Sequence, residues 1–128
     1  MKQFSFEKLT VWQKSRALSV SIYKTTKLFP DDERYGLTSQ MRRCAISIAS
    51  NIAEGSGRHT NKDKARFTEI AFGSALELLN QLILSNDLEY ISNENYTQIR
   101  ENITEITAML DGLHKSQLNQ KTNKPINS

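Results

Sequence analysis

Apolar residues recur along this chain at three- and four-residue spacing and nowhere alternate as a strand would, so the pattern predicts helices alone. Only Pro30 and Pro125 could break them. The reading is four helices, over about 6–28, 38–54, 61–87 and 92–117, joined by short polar turns in one domain, with a flexible polar tail over 118–128. Ser5, Thr38, Thr60 and Ser92 stand where caps are needed, Thr60 with Asp63 resembling a capping box. Phe29-Pro30 ends the first helix, because the residue before proline is pushed out of the helical region.

The apolar faces differ between helices. In the first, Leu9, Trp12, Val20 and Tyr23 point one way, and Val11, Leu18, Ile22 and Phe29 nearly opposite. In the second, Met41, Cys44, Ala45, Ile48 and Ile52 share a face, Ile46, Ala49 and Ala53 make a second strip, and Gly55 is expected to close the helix in a left-handed turn. The third carries Phe67, Ile70, Ala71, Leu78 and Leu82 on one stripe and Ala65, Phe72, Leu76, Leu79 and Ile83 on another. Gly73 in mid-helix costs about 1 kcal/mol against alanine, so Ser47, Ser50, Gly73 and Ser74 are expected to let backbones come close. The fourth has a single seam, Tyr96, Ile99, Ile103, Ile106, Leu110 and Leu113, with a polar outer side.

These stripes predict an all-α fold, an up-down-up-down left-handed four-helix bundle. Leu9, Trp12, Met41, Ile48, Ile52, Phe67, Ile70, Leu78, Ile99, Ile103, Ile106 and Leu110 are expected in or near its core. An apolar stripe left in water is sticky. The second stripes therefore predict a homo-oligomer, with Val11, Leu18, Ile22, Phe72, Leu76, Leu79 and Ile83 at its interface.

Composition narrows the picture. The 128 residues suit one domain with its own core, and the single cysteine, Cys44, permits no internal disulfide. No long apolar run suggests a membrane span and the start lacks a signal-peptide pattern, so a cytoplasmic protein without membrane association is expected. Charge is uneven: residues 1–66 carry a net +7 and residues 67–128 a net −4. That suits either a basic face for phosphates or ordinary solvated helix surfaces.

Candidate chemistry is sparse. Arg58, His59, Lys62, Lys64 and Arg66 crowd a glycine turn and a helix N-terminus, which suits phosphate contact, or merely an exposed solubilising turn. Gly55 and Gly57 follow a helix and no GK[ST] follows them, so no nucleotide loop is present. Asp31, Asp32 and Glu33 lack the spacing of a calcium loop, and His59 and His114 have no partner at metal-ligand spacing. Asn51, Glu54 and Glu77, with Arg42, Arg43 and Trp12, are candidates for a buried polar network that fixes helix register. Paired glutamates could also serve catalysis in a bundle, but the ExxH motif of a di-iron site is missing. The expectation is no enzyme, no metal and no cofactor.

Arg42-Arg43, Ser47-Ile48, Asn51-Ile52-Ala53-Glu54-Gly55-Ser56-Gly57-Arg58 and Ala71-Phe72-Gly73-Ser74-Ala75-Leu76-Glu77 resemble the four-helix-bundle family named for proteins encoded in intervening sequences of 23S rRNA genes. Leu9-Thr10-Val11-Trp12-Gln13-Lys14, Phe29-Pro30 and Tyr35-Gly36-Leu37 match it upstream, so the likeness covers residues 4–115. Ala49 departs from it, standing where relatives often carry proline. The resemblance implies a ring-like homopentamer, and a related branch serves as a basic accessory to the reverse transcriptase of diversity-generating retroelements. Two functions follow as expectations. One is a non-enzymatic oligomer that binds nucleic acid, RNA favoured over DNA, through Arg42, Arg43, Arg58, His59, Lys62, Lys64 and Arg66 without strong sequence readout. The other is a structural scaffold that meets a partner protein.

Overall fold

The computed structural model describes residues 1–122, with side-chain surroundings through Asn119. Four helices form one domain with no strand among the described residues: α1 (Thr10–Thr26), α2 (Leu37–Ser56), α3 (Asn61–Asp87) and α4 (Asn93–Thr122). Neighbours touch in chain order and α4 closes on α1, with neither diagonal pair in contact among the described residues. α4 runs on to Thr122, past the expected start of the tail, and residues 123–128 lie outside the described residues.

The first helix starts later than its pattern suggests. Ser5–Lys8 is a separate 3-10 turn, in which the Glu7 carboxylate accepts from the Phe4 amide at 2.7 Å. The face of α1 is also reversed from expectation. Val11, Leu18 and Ile22 are buried in the protomer core and cannot serve as an oligomer interface, while Val20 and Tyr23 are exposed and Leu9 and Trp12, expected in or near the core, are half-buried against it. The reason lies in residues that read as polar. The Ser15 hydroxyl donates to the Val11 carbonyl at 2.7 Å and Thr26 to Ile22 at 2.7 Å, so each is satisfied by its own helix and packs like a small apolar group. Val11, Ser15, Leu18, Ile22 and Thr26 then make one continuous buried stripe.

α2 buries Met41, Cys44, Ala45, Ile48, Ile52 and Gly55 as its spacing predicts. Gly55 is not the left-handed closer. No glycine has a positive φ, and Gly55 sits inside the helix, where an added Cβ would lie 2.8 Å from the Phe67 Cβ. Its missing side chain is what lets α2 approach α3. The one left-handed residue among the described residues is Glu89, at φ 64°, just after α3. Thr38 does not cap α2 either: Gly36 holds the N-cap position and offers no side chain.

In α3 the buried stripe is Phe67, Ala71, Ala75, Leu78 and Leu82, extended by Ser85, whose hydroxyl donates to the Gln81 carbonyl at 2.8 Å. Ile70, expected in the core, is 43% exposed. Gly73 has nothing within 4 Å of an added Cβ, so the close approach inferred there is absent within the protomer. The small polar residues do meet at the next residue, where the Ser47 and Ser74 hydroxyls are 2.8 Å apart. Leu76 is exposed, and Phe72, Leu79 and Ile83 are half-buried beside it. The α4 seam is as its spacing predicts, with Ile99, Ile103, Ile106 and Leu110 buried.

Candidate nucleic-acid interface

Between α2 and α3 the chain turns through Gly57–Thr60, and the Thr60 hydroxyl accepts from the Asp63 amide at 3.1 Å to start α3. Gly55 brings Phe67 close at this end, and two cations settle on its ring. The guanidinium carbon of Arg58 lies 4.5 Å from the ring centroid and that of Arg66 5.5 Å. Phe67 is itself buried, so it serves as a seat for the arginines rather than as a platform for a base. His59 and Lys62 are exposed beside them. The nearest ion pair is loose, Arg58 to Glu54 at 3.9 Å with both side chains about half exposed or more. Lys64 stands apart, because two residues turn a helix by about 200° from Arg66. It is half-buried and lines a separate cleft with Asn61, Thr68 and Gln117.

Arg42 and Arg43 do not join this turn. α2 rises about 1.5 Å per residue, which places Arg42 about 24 Å from Arg58. Arg42 instead donates from Nε to the Thr26 hydroxyl at 2.9 Å, and its guanidinium lies 4.5 Å from the Tyr23 ring centroid. Arg43 donates to Glu77 Oε2 at 2.9 Å and to Gln40 Oε1 at 2.7 Å. The residues expected to meet nucleic acid therefore lie in two places, at opposite ends of α2. Lys27 and Arg34, which the sequence did not single out, line the cleft in which Arg42 lies. They reach it because the α1–α2 connection is pinned: Glu33 accepts from the Leu37 amide and from the Tyr90 hydroxyl, both at 3.1 Å.

The expected polar network also divides. Asn51 donates to the Ser47 carbonyl at 2.8 Å and so joins the Ser47–Ser74 pair. Glu77 takes Arg43 and, at 3.4 Å, Gln81 Nε2, while the Glu54 side chain has only Arg58 among the described residues. Neither glutamate is a buried charge: their side chains are 47% and 61% exposed. The buried polar group here is Gln81, whose Oε1 has no partner. Beside it, burial and the Glu77 carboxylate push the Cys44 thiol from 9.0 up to about 11, so it is protonated and a poor nucleophile at neutral pH. A contact hidden from sequence spacing joins His114 Nε2 to Glu69 Oε2 at 2.8 Å. No group of three or more His, Cys, Asp or Glu able to hold a metal occurs among the described residues, and no described helix is long and apolar enough to cross a membrane.

Fold and site together define a one-domain, all-helical protein with cations gathered at both ends of its second helix. The chain belongs to the 23S rRNA-intervening sequence protein family, whose pattern matches residues 7–112. It is similar to the crystal structure of a protein with unknown function from the S23 ribosomal protein family of Bacteroides thetaiotaomicron VPI-5482. That likeness has a TM-score of 0.75 at 29% identity, covering 83% of this chain and 99% of the other. No curated protein matches the chain.

Proposed function

We propose that the protein is a non-enzymatic, oligomeric, cytoplasmic protein that binds nucleic acid, RNA in preference, by its phosphates and without strong base readout. The observation that carries this is the α2–α3 turn, where Arg58 and Arg66 are held on Phe67 beside exposed Lys62 and His59, with only a 3.9 Å contact to a carboxylate. Seated guanidiniums lose less freedom on meeting a phosphate than free ones. The family's name, tied to 23S rRNA intervening sequences, favours RNA. Weak base readout follows because Phe67 is buried and the exposed aromatics Phe4 and Tyr35 lie outside the turn.

In this reading the unit is an up-down-up-down left-handed bundle that joins copies of itself along the α3 stripe of Phe72, Leu76, Leu79 and Ile83. Ile46, Ile70, Leu76 and Leu84, each 43% to 48% exposed, support an assembly. The number five rests on the family resemblance. The same exposed residues favour a second reading, a scaffold that presents helices to a partner protein.

Titration against labelled RNA and DNA, single- and double-stranded, at two salt concentrations tests the first reading. Binding should weaken with salt, and Lys62→Glu with Arg66→Glu should weaken it further and flatten the salt slope by about one per lost phosphate contact. Lys64→Glu, facing elsewhere, should do less. Absence of binding at low salt would discard the reading and favour the scaffold.

A further inference from the structure

The cleft at the other end of α2 has a volume of about 480 Å³ and lies between the end of α1, the α1–α2 connection and the first turn of α2. Its lining gathers donors that nothing in the protomer uses. Gly36 cannot cap the helix, and of the first amides only Leu37 N–H has a side-chain acceptor, Glu33. The Thr38 and Ser39 amides have no acceptor among the described residues. Thr38 is 9% exposed as a residue; its hydroxyl still reaches solvent and, like that of Ser39, is without a partner among the described residues.

Charge adds to this. The side chains of Lys27 and Arg34 line the cleft and make no ion pair or hydrogen bond among the described residues. Arg42 spends Nε on Thr26 and, at 3.4 Å, Nη2 on the Tyr23 carbonyl, which leaves Nη1 uncommitted. Asp31 is the one acid in the lining and pairs with none of them. Arg43, the fourth cation in the lining, is held by Glu77; the other three share a concavity and repel one another, and a small multivalent anion would relieve that repulsion while accepting from the amides and hydroxyls.

We propose that this cleft binds a phosphate group, held by Lys27, Arg34 and Arg42 and by the amides and hydroxyls of Thr38 and Ser39. A tetrahedral phosphate has enough acceptor oxygens for such a donor set, and its charge matches the field at an uncapped helix start. The site is separate from the Arg58–Arg66 turn and does not depend on the nucleic-acid reading.

Calorimetric titration of the full chain with pyrophosphate, against sodium chloride at matched ionic strength, tests the proposal. Saturable one-site binding is expected, weakened about tenfold or more by Lys27→Gln with Arg34→Gln and by Thr38→Val, and little changed by Lys62→Gln with Arg66→Gln. Lys27 and Arg34 have no partners to lose, so that variant should melt like the parent and carries the test if Thr38→Val does not fold. No saturable binding would overturn the proposal. So would binding indifferent to the cleft variants, or one lost with Lys62 and Arg66. A parallel titration with one oligoribonucleotide bearing either a 5′-phosphate or a 5′-hydroxyl identifies the source of the phosphate. A 5′-phosphate preference lost in the cleft variants means an RNA end, and pyrophosphate binding without that preference means a free phosphate ligand. Failure of both oligonucleotides to bind counts against the nucleic-acid reading alone.

Discussion

Two glycines, each inside a helix, should respond oppositely to the same substitution. Alanine at either position gains about 1 kcal/mol of intrinsic helix propensity. At Gly73 nothing lies within 4 Å of the new methyl, so Gly73→Ala should be stabilising by about that amount. At Gly55 the methyl would meet the Phe67 Cβ at 2.8 Å and the Lys64 carbonyl at 3.7 Å. A Cβ cannot rotate away from its backbone, so α2 and α3 must part. Overpacking of that kind costs about 1–3 kcal/mol, which cancels or outweighs the propensity gain. Because propensity enters both variants equally, their difference isolates the clash. At about 4 °C per kcal/mol for a chain of this size, Gly55→Ala should melt about 4–12 °C below Gly73→Ala. Thermal melts followed by circular dichroism measure this, and equal melting of the two variants would refute the close approach of α2 to α3 at Gly55. A change in mass of Gly73→Ala by light scattering would show that a second copy covers that face.

Other outcomes follow from the same contacts. Leu76→Glu with Ile83→Glu should leave helicity intact and give a smaller species by light scattering, and an unchanged mass would remove this stripe from the interface. Cys44 has its folded pKa raised from 9.0 to about 11, so the unfolded chain loses that proton first and stability should fall as pH rises from about 9 to 11. Denaturant melts of the parent against Cys44→Ala isolate this effect from Tyr90, whose pKa is also raised by its hydrogen bond to Glu33; the same loss in both would refute it. Gln81→Met removes the orphaned Oε1 at nearly constant volume and should be neutral or stabilising by about 1 kcal/mol in the same melts, since Glu77 keeps Arg43.

Helix number and much of the core were legible because burial repeats every turn. The α4 seam and the Met41–Ile52 face needed nothing but spacing. The α1 face was misread because Ser15 and Thr26 count as polar in a pattern, although their hydroxyls bond their own helix. With those two residues scored as small apolar groups, the stripe of Val11, Leu18 and Ile22, already distinct in the pattern, would have been the continuous one and so the core face. Gly55 was misread for a related reason: a glycine near a helix end suits either a left-handed turn or a tight contact, and only the position of Phe67 distinguishes them.

The candidate sites divide along the same line. Local order along the chain placed Arg58, His59, Lys62 and Arg66 together, because a short turn cannot separate them, and it supplied the helices through their periodicity. The helix over 38–54 already set Arg42 a helix length from Arg58, but local order could not tell that Lys27 and Arg34 meet Arg42 beside an uncapped helix start. Those placements depend on where α1 ends relative to α2 and on Glu33 holding the connection to Tyr90. Short-range chain geometry is written in neighbouring residues, whereas a cleft is made by elements distant in sequence, and which of their side chains share it is decided only when the helices pack.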